Sequence, residues 1–292
     1  MRALVIGASG QVGAAISARL TERGHAVVGT HHRVPQPGLR PLDLTDTVAT
    51  ERLVAAVEPD WVICPAGLTH VDYCEDHPDE AFAANRDAPT LAARAAAKGG
   101  AGFVYFSTEY VFEGTAGPYA ENDPVHPLSV YGRSKLEGEQ RVVEENSRTA
   151  IVRTTVVFGP EPQGKNTVYQ ILRRARAHEP IRVPRDQVTS PTYNVDLAAA
   201  TVELIEGDFH GVMHIAGPAI VDRYVFALEV CAAFDLDASL VEPVETAALG
   251  QRAPRPLRAG LVTDRARRRL RTSLRAPREA LADMRRVLER AS

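Results

Sequence analysis

A doubly wound α/β fold, with a parallel sheet covered by helices on both faces and a smaller C-terminal lobe, is the architecture this sequence predicts. Three observations carry the prediction. Short apolar runs alternate with helical patterns through the first half of the chain. A glycine-rich turn joins the first run to the first helical pattern. Beyond residue 160 the alternation loosens into helices separated by polar and proline-containing stretches.

Taken in order, residues 2–6 read as a strand, 11–23 as a helix, 26–30 as a strand and 48–57 as a helix. Residues 61–64 form a strand, and the alanine-rich residues 78–98 one long helix. Residues 102–107 are a strand, 128–145 a helix and 150–157 a strand. This alternation implies right-handed crossovers and a parallel sheet. Later come helices over 166–178 and 194–206, the second with Asn194 as its expected cap, and a short strand over 211–215. Helices over 223–234 and 278–290 flank a segment, 252–271, rich in proline and arginine. The expected division is a core of residues 1–160, to which 190–220 returns, and a lobe built mainly from 161–292. Such an arrangement opens a cleft at the carboxyl ends of the strands.

Composition narrows the function. Apolar residues make up 45% of the 292, enough for a sizeable core, and the net charge of −3 gives no reason to expect nucleic acid as a partner. No run approaches the roughly 18 apolar residues of a membrane span. The short apolar start runs straight into glycine, unlike a signal peptide. Three cysteines, Cys64, Cys74 and Cys231, fit a reducing cytoplasm better than a disulfide framework. No ligand spacing suggests a metal site, and Cys64 reads as a small core residue.

The glycine turn is Gly7-Ala8-Ser9-Gly10-Gln11-Val12-Gly13. One glycine permits the turn, one lets backbone approach a pyrophosphate, and one lets helix pack on strand. The helix start then presents free N–H groups and a favourable dipole to an anion. This places Gly7, Ser9, Gly10, Gln11, Val12 and Gly13 against a dinucleotide and makes the core a Rossmann domain. The acidic residue that ordinarily binds the adenosine ribose is missing. In its place stands Gly29-Thr30-His31-His32-Arg33, where Arg33 and His31 suit a 2′-phosphate. NADP is therefore favoured over NAD, with Asp43 and Leu44 expected near the adenine.

Tyr131-Gly132-Arg133-Ser134-Lys135 lies early in a predicted helix, where residues four apart share a face. An ammonium near a phenol favours the phenolate and lowers its pKa, so Tyr131 can donate a proton to a carbonyl oxygen as hydride arrives. Lys135 can also reach ribose hydroxyls. The chain has eight tyrosines but only three lysines, so about 0.08 such pairs are expected by chance. The pair also follows a strand ending in Ser107-Thr108, which places a hydroxyl beside Tyr131. Thr108 is the expected partner and Ser107 the alternative.

With these motifs in place, the chain resembles the extended short-chain dehydrogenase/reductase family, and within it the dTDP-4-dehydrorhamnose reductases and the related regulatory beta subunits of methionine adenosyltransferase. The resemblance spans nearly the whole chain. It rests on the glycine turn, on Ala66-Gly67-Leu68-Thr69-His70-Val71-Asp72, on Ser107 to Gly114, on Pro127 to Glu139 and on the late Arg-Pro segment of 252–257. It implies reduction of a keto group on a nucleotide-linked sugar, cofactor contacts at Ala66, Gly67 and Thr69, and substrate contacts at Thr108, Glu109, Asn166, Gln187 and Thr192. Arg255 is the arginine of the basic tail expected to meet the substrate pyrophosphate. Glu109, Val156 and Cys64 depart from the family's Asp, aromatic and Asn at those places. A regulatory subunit loaded with NADP, and a sugar-nucleotide epimerase or dehydratase, stay open as alternatives. The resemblance is compatible with a homodimer.

Overall fold

The computed structural model describes residues 1–291. Its first six strands are β1 (Arg2–Val5), β2 (Ala26–His31), β3 (Arg40–Pro41), β4 (Trp61–Cys64), β5 (Gly102–Thr108) and β6 (Thr149–Thr154). They join the strand Gly211–His214 in a seven-stranded sheet ordered Gly211–His214, β6, β5, β4, β1, β2, β3, in which every neighbouring pair is parallel. The connections run outward in opposite directions from β1 and β4, so the crevice for a ligand lies at their carboxyl ends.

The helices are α1 (Gln11–Glu22), α2 (Thr47–Val57), α3 (Val71–Asp76), α4 (Pro78–Phe82), α5 (Ala88–Lys98), α6 (Val130–Glu145), α7 (Thr167–Arg176), α8 (Asn194–Glu206), α9 (Arg223–Ala233), α10 (Asp264–Arg269) and α11 (Pro277–Ala291). Side chains alternate across each strand. Ala3, Val5, Val104 and Phe106 therefore pack with Ile16 and Leu20 of α1 and Leu197 of α8. Leu4, Val62, Phe103 and Tyr105 pack with α2, α5 and α6 on the opposite face. A separate apolar cluster joins α7, α9 and α11 through Ile171, Leu172, Phe226, Val230, Leu281 and Met284.

Three sequence expectations need correction. The helix expected over 78–98 is interrupted by a π turn at Ala83–Asp87. The reason is Pro89, which has no N–H for the carbonyl of Asn85 and whose ring pushes that carbonyl aside. The Ala88 N–H instead reaches back to the Ala83 carbonyl. The strand expected over 150–157 ends at Thr154, because the chain leaves the sheet through Val156. Val156 has φ +38°, a left-handed conformation that β-branched residues rarely adopt. Asn194 does not cap α8. It is already helical, Tyr193 holds the cap position, and the Asn194 amide donates to the Pro160 carbonyl at 2.6 Å. Short strands such as Ile181–Pro184 and Thr192–Tyr193, and the helices α3 and α10, also go beyond what periodicity predicts.

One buried ion pair ties the sheet to the helix that carries the tyrosine motif. Arg153 of β6 grips Glu139 of α6 through two hydrogen bonds of 2.8 and 2.6 Å, with both side chains nearly inaccessible. Removing one partner of such a pair strands the other charge. Glu139→Ala should therefore destabilise the protein by about 3–5 kcal/mol in urea denaturation. A loss below about 1 kcal/mol would show that Arg153 finds water or another partner.

Candidate active site

The site forms where β5 ends. Thr108 is its last residue, and the chain turns at once into a single 3₁₀ turn, Glu109–Val111. The Thr108 hydroxyl accepts from the Tyr110 N–H at 3.2 Å and donates to the Glu109 carboxylate at 2.9 Å. α6 arrives against this turn. Ser129 caps it, accepting from the Gly132 N–H at 3.2 Å. Gly132 is required there, because a Cβ would lie 2.2 Å from the Tyr110 carbonyl oxygen. That close approach sets Tyr131 edge-on to Tyr110, with ring centroids 5.4 Å apart, and brings its phenol to the Thr108 hydroxyl. Lys135 follows one turn later, buried, with Nζ 4.2 Å from the centroid of the Tyr105 ring. The structure thus gathers Thr108, Tyr131 and Lys135 at one end of the sheet. Ser107 is buried as well, and its hydroxyl has no partner among the described residues.

The electrostatics reverse one expectation. Lys135 does not set the phenol. Burial, and then the Glu109 carboxylate, hold the Tyr131 pKa well above its ordinary value, with the Thr108 hydrogen bond pulling the other way. Desolvation outweighs an ammonium that faces the Tyr105 ring. Tyr131 therefore carries its proton throughout the neutral range. Lys135 is pushed down to about 8, chiefly by burial. Burial also raises the Glu109 carboxyl, against hydrogen bonds from Thr155 and Thr108. The Cys64 thiol is pushed up to about 12, which keeps it an inert core group.

The glycine turn has the shape a dinucleotide needs. Gly7 adopts φ +92° and its N–H donates to Thr30 Oγ1 at 3.1 Å. A Cβ on Gly13 would lie 2.2 Å from the Gly7 carbonyl oxygen, so this glycine lets α1 close onto the turn. At Gly10 a Cβ would meet only that oxygen, at 3.4 Å, and no side chain caps α1. The backbone N–H groups of Gln11, Val12 and Gly13 are thus presented to an incoming anion. Ser9 is buried in the turn, and the Gln11 amide donates to the Val157 carbonyl at 3.2 Å. These residues fit a pyrophosphate. At the end of β2, His31 is half-buried and Arg33 exposed. Asp43 accepts two hydrogen bonds from Thr45, and its other oxygen is 3.7 Å from His32, with Leu44 half-buried beside it. Ala66, Gly67 and Thr69 lie on the loop after β4, where a Cβ on Gly67 would stand 3.8 Å from Lys135 Nζ.

The other expected substrate residues are placed less directly. Asn166 caps α7 and donates to the Gly159 carbonyl at 2.9 Å. Gln187 donates to Thr246 at 3.0 Å, and Thr192 bridges the Ser190 carbonyl and the Gly217 N–H. Their polar atoms hold loops together. Arg255 is different. Its side chain is buried, pairs with Asp72 at 2.8 Å, and keeps Nη1 without a partner among the described residues. Asn85 and Tyr105 belong to no motif in the sequence, yet both meet the site. Asn85 clamps the 66–68 loop to α6, bonding Leu68 through both amide atoms and Ser134 at 3.0 Å. A buried asparagine four residues before a proline, inside an alanine-rich helix, is the signal that marks it.

A lysine with a lowered pKa binds fewer protons folded than unfolded, so stability rises with pH from about 8 into the ordinary lysine range. Lys135→Met should accordingly stabilise the protein near neutral pH by about 1–3 kcal/mol. The gain should shrink as the pH rises above that midpoint. A methionine variant less stable than the parent near neutral pH would contradict this electrostatic picture.

Comparison with known proteins accords with this geometry. A family model described as the RmlD substrate binding domain matches residues 1–290. The dTDP-4-dehydrorhamnose reductase of Mycolicibacterium smegmatis is 34% identical over 285 residues, covering 97% of this chain and 84% of its own. Methionine adenosyltransferase 2 subunit beta of Bos taurus is 29% identical over 262 residues, covering 87% of this chain and 78% of its own. The solved structure of dTDP-4-dehydrorhamnose reductase from Bacillus anthracis, in complex with NADP, is similar with a TM-score of 0.90 and 28% identity, over 98% of this chain and 99% of that one. Matched along nearly its entire length, this chain belongs to the RmlD substrate-binding-domain family of extended short-chain dehydrogenases/reductases.

Proposed function

We propose that this protein reduces the keto group of a nucleotide-linked deoxysugar of the dTDP-4-dehydrorhamnose type, with NADPH as the reductant and Tyr131 as the proton donor. The observation that carries the reading is the convergence of Thr108, Tyr131 and Lys135 at the carboxyl end of β5, on the crevice side of the sheet. NADPH, when bound, supplies the hydride. The chain's own groups do the rest. Thr108 orients the reacting carbonyl oxygen beside the Tyr131 phenol. Tyr131, held protonated by its surroundings, gives its proton to that oxygen. Lys135 would hold the ribose hydroxyls and supply positive charge beside the phenolate.

The preference for NADPH rests on the basic end of β2. Arg33 and His31 would hold a 2′-phosphate there, and Asp43, which accepts from Thr45, and Leu44 would stand on the adenine side. On the substrate side, the unpartnered Nη1 of Arg255 suits a pyrophosphate oxygen. A regulatory role is suggested by the methionine adenosyltransferase relative; sustained turnover by the isolated protein would count against it. An epimerase or dehydratase would consume no net NADPH.

The central test is NADPH oxidation in the presence of dTDP-4-keto-6-deoxy sugars. Tyr131→Phe should lower kcat by about 10²–10⁴-fold, whereas full activity in that variant would remove Tyr131 from the chemistry. Arg33→Ala should weaken NADPH binding by about tenfold or more and leave NADH nearly untouched. Equal loss for both would refute the phosphate contact.

A further inference from the structure

Lys135 poses a physical problem. Its ammonium is buried, and among the described residues no carboxylate lies within ion-pair distance of it. Cys64 faces it from β4, Cys74 from α3 and Glu139 from its own helix. Glu139 is already held by Arg153 through two hydrogen bonds. The nearest aromatic surface is Tyr105, whose ring centroid is 4.2 Å from Nζ.

The Tyr105 ring is itself anchored. Its hydroxyl donates to the Asn85 carbonyl at 2.6 Å and approaches the Lys135 carbonyl at 3.4 Å. In an unbroken α-helix the Asn85 carbonyl would accept from residue 89. Pro89 has no N–H, and the π turn leaves the carbonyl for Tyr105. Gly138 of α6 completes the arrangement, because a Cβ there would lie 2.3 Å from both the Tyr105 hydroxyl and the Asn85 carbonyl oxygen.

We infer that Tyr105 is a positioning residue for Lys135: its ring face seats the ammonium, and the carbonyl released by Pro89 holds the ring in place. The inference rests on the reading of Lys135 given above and deepens it. An aromatic face attracts a cation without taking its N–H donors. A carboxylate in the same place would hold the charge more firmly but would occupy those donors. The seat therefore keeps Lys135 charged and pointed while leaving its N–H groups available to ribose hydroxyls.

The test reads the lysine directly, without substrate or cofactor. With only three lysines in the chain, the ¹⁵Nζ resonance of Lys135 can be assigned by its loss in Lys135→Met and titrated by NMR. The parent should titrate near about 8. Tyr105→Phe keeps the ring but loses the hydroxyl that anchors it, so its midpoint should fall slightly below the parent's and stay well above that of Tyr105→Met. Tyr105→Met removes the ring and should lower the midpoint by roughly 0.5–1.5 units. Incorporation of 3,4,5-trifluorophenylalanine at position 105 keeps the shape while draining the ring face, so it should fall between them even if the methionine variant fails to fold. In the pH profile of kcat/KM the alkaline limb should move down in parallel. A trifluoro variant that titrates with the parent would overturn the proposal, as would a Tyr105→Phe midpoint shifted as far as that of Tyr105→Met. Because the titration needs no turnover, its failure leaves the reductase reading standing, and absence of NADPH oxidation leaves the lysine seat standing.

Discussion

An ammonium group placed where water does not reach is the constraint to which the neighbourhood of Lys135 answers. Removing such a charge from water is costly unless something nearby compensates. Here the compensation is distributed. The Tyr105 ring lies directly beneath Nζ, and the Glu139 charge acts from the same helix while its oxygens are held by Arg153. A direct ion pair would stabilise the lysine more and leave it less to do. The result is a cation at about 8, close to the range in which proton transfer operates, on a helix pinned to the sheet by Arg153 and to the π turn by Asn85.

The tyrosine one turn earlier meets the opposite requirement. It must keep a proton until a carbonyl oxygen needs it. Burial disfavours charge on both groups, so it raises the phenol and lowers the lysine at once. Glu109 adds to the first effect, and Thr108, which pulls the phenol the other way, is itself hydrogen-bonded to Glu109. Gly132 makes this possible by letting α6 touch the turn after β5. The glycine turn stands on the same edge of the sheet, where α1 starts without a side-chain cap. Donor, cofactor cradle and lysine are thus positioned by strand ends and helix starts rather than by long loops.

Much of this is legible in the amino-acid sequence. Strands such as Trp61–Cys64 and helices such as Gln11–Glu22 follow from local periodicity, and the motifs Gly7 to Gly13 and Tyr131 to Lys135 carry their chemistry in their spacing. What is not legible there depends on partners distant along the chain. The π turn needs Pro89, but its use appears only when Tyr105 arrives from the neighbouring strand. The break at Val156 reflects where the chain crosses to the pairing of Val157–Phe158 with Thr192–Tyr193. The direction of the Tyr131 shift depends on desolvation and on Glu109, neither visible in a four-residue motif. Resemblance places Asn166, Gln187 and Thr192 near the cleft but does not reveal that their polar atoms are occupied in holding loops.

The central claim is that this assembly directs hydride onto a sugar carbonyl while Tyr131 supplies the proton. Isotope transfer tests it most directly. With NADPH carrying deuterium at the transferable position of the nicotinamide, and a dTDP-4-keto-6-deoxy sugar as acceptor, mass spectrometry should find one deuterium at the former carbonyl carbon for each NADPH consumed. A product without deuterium, formed with no net loss of NADPH, would contradict the account.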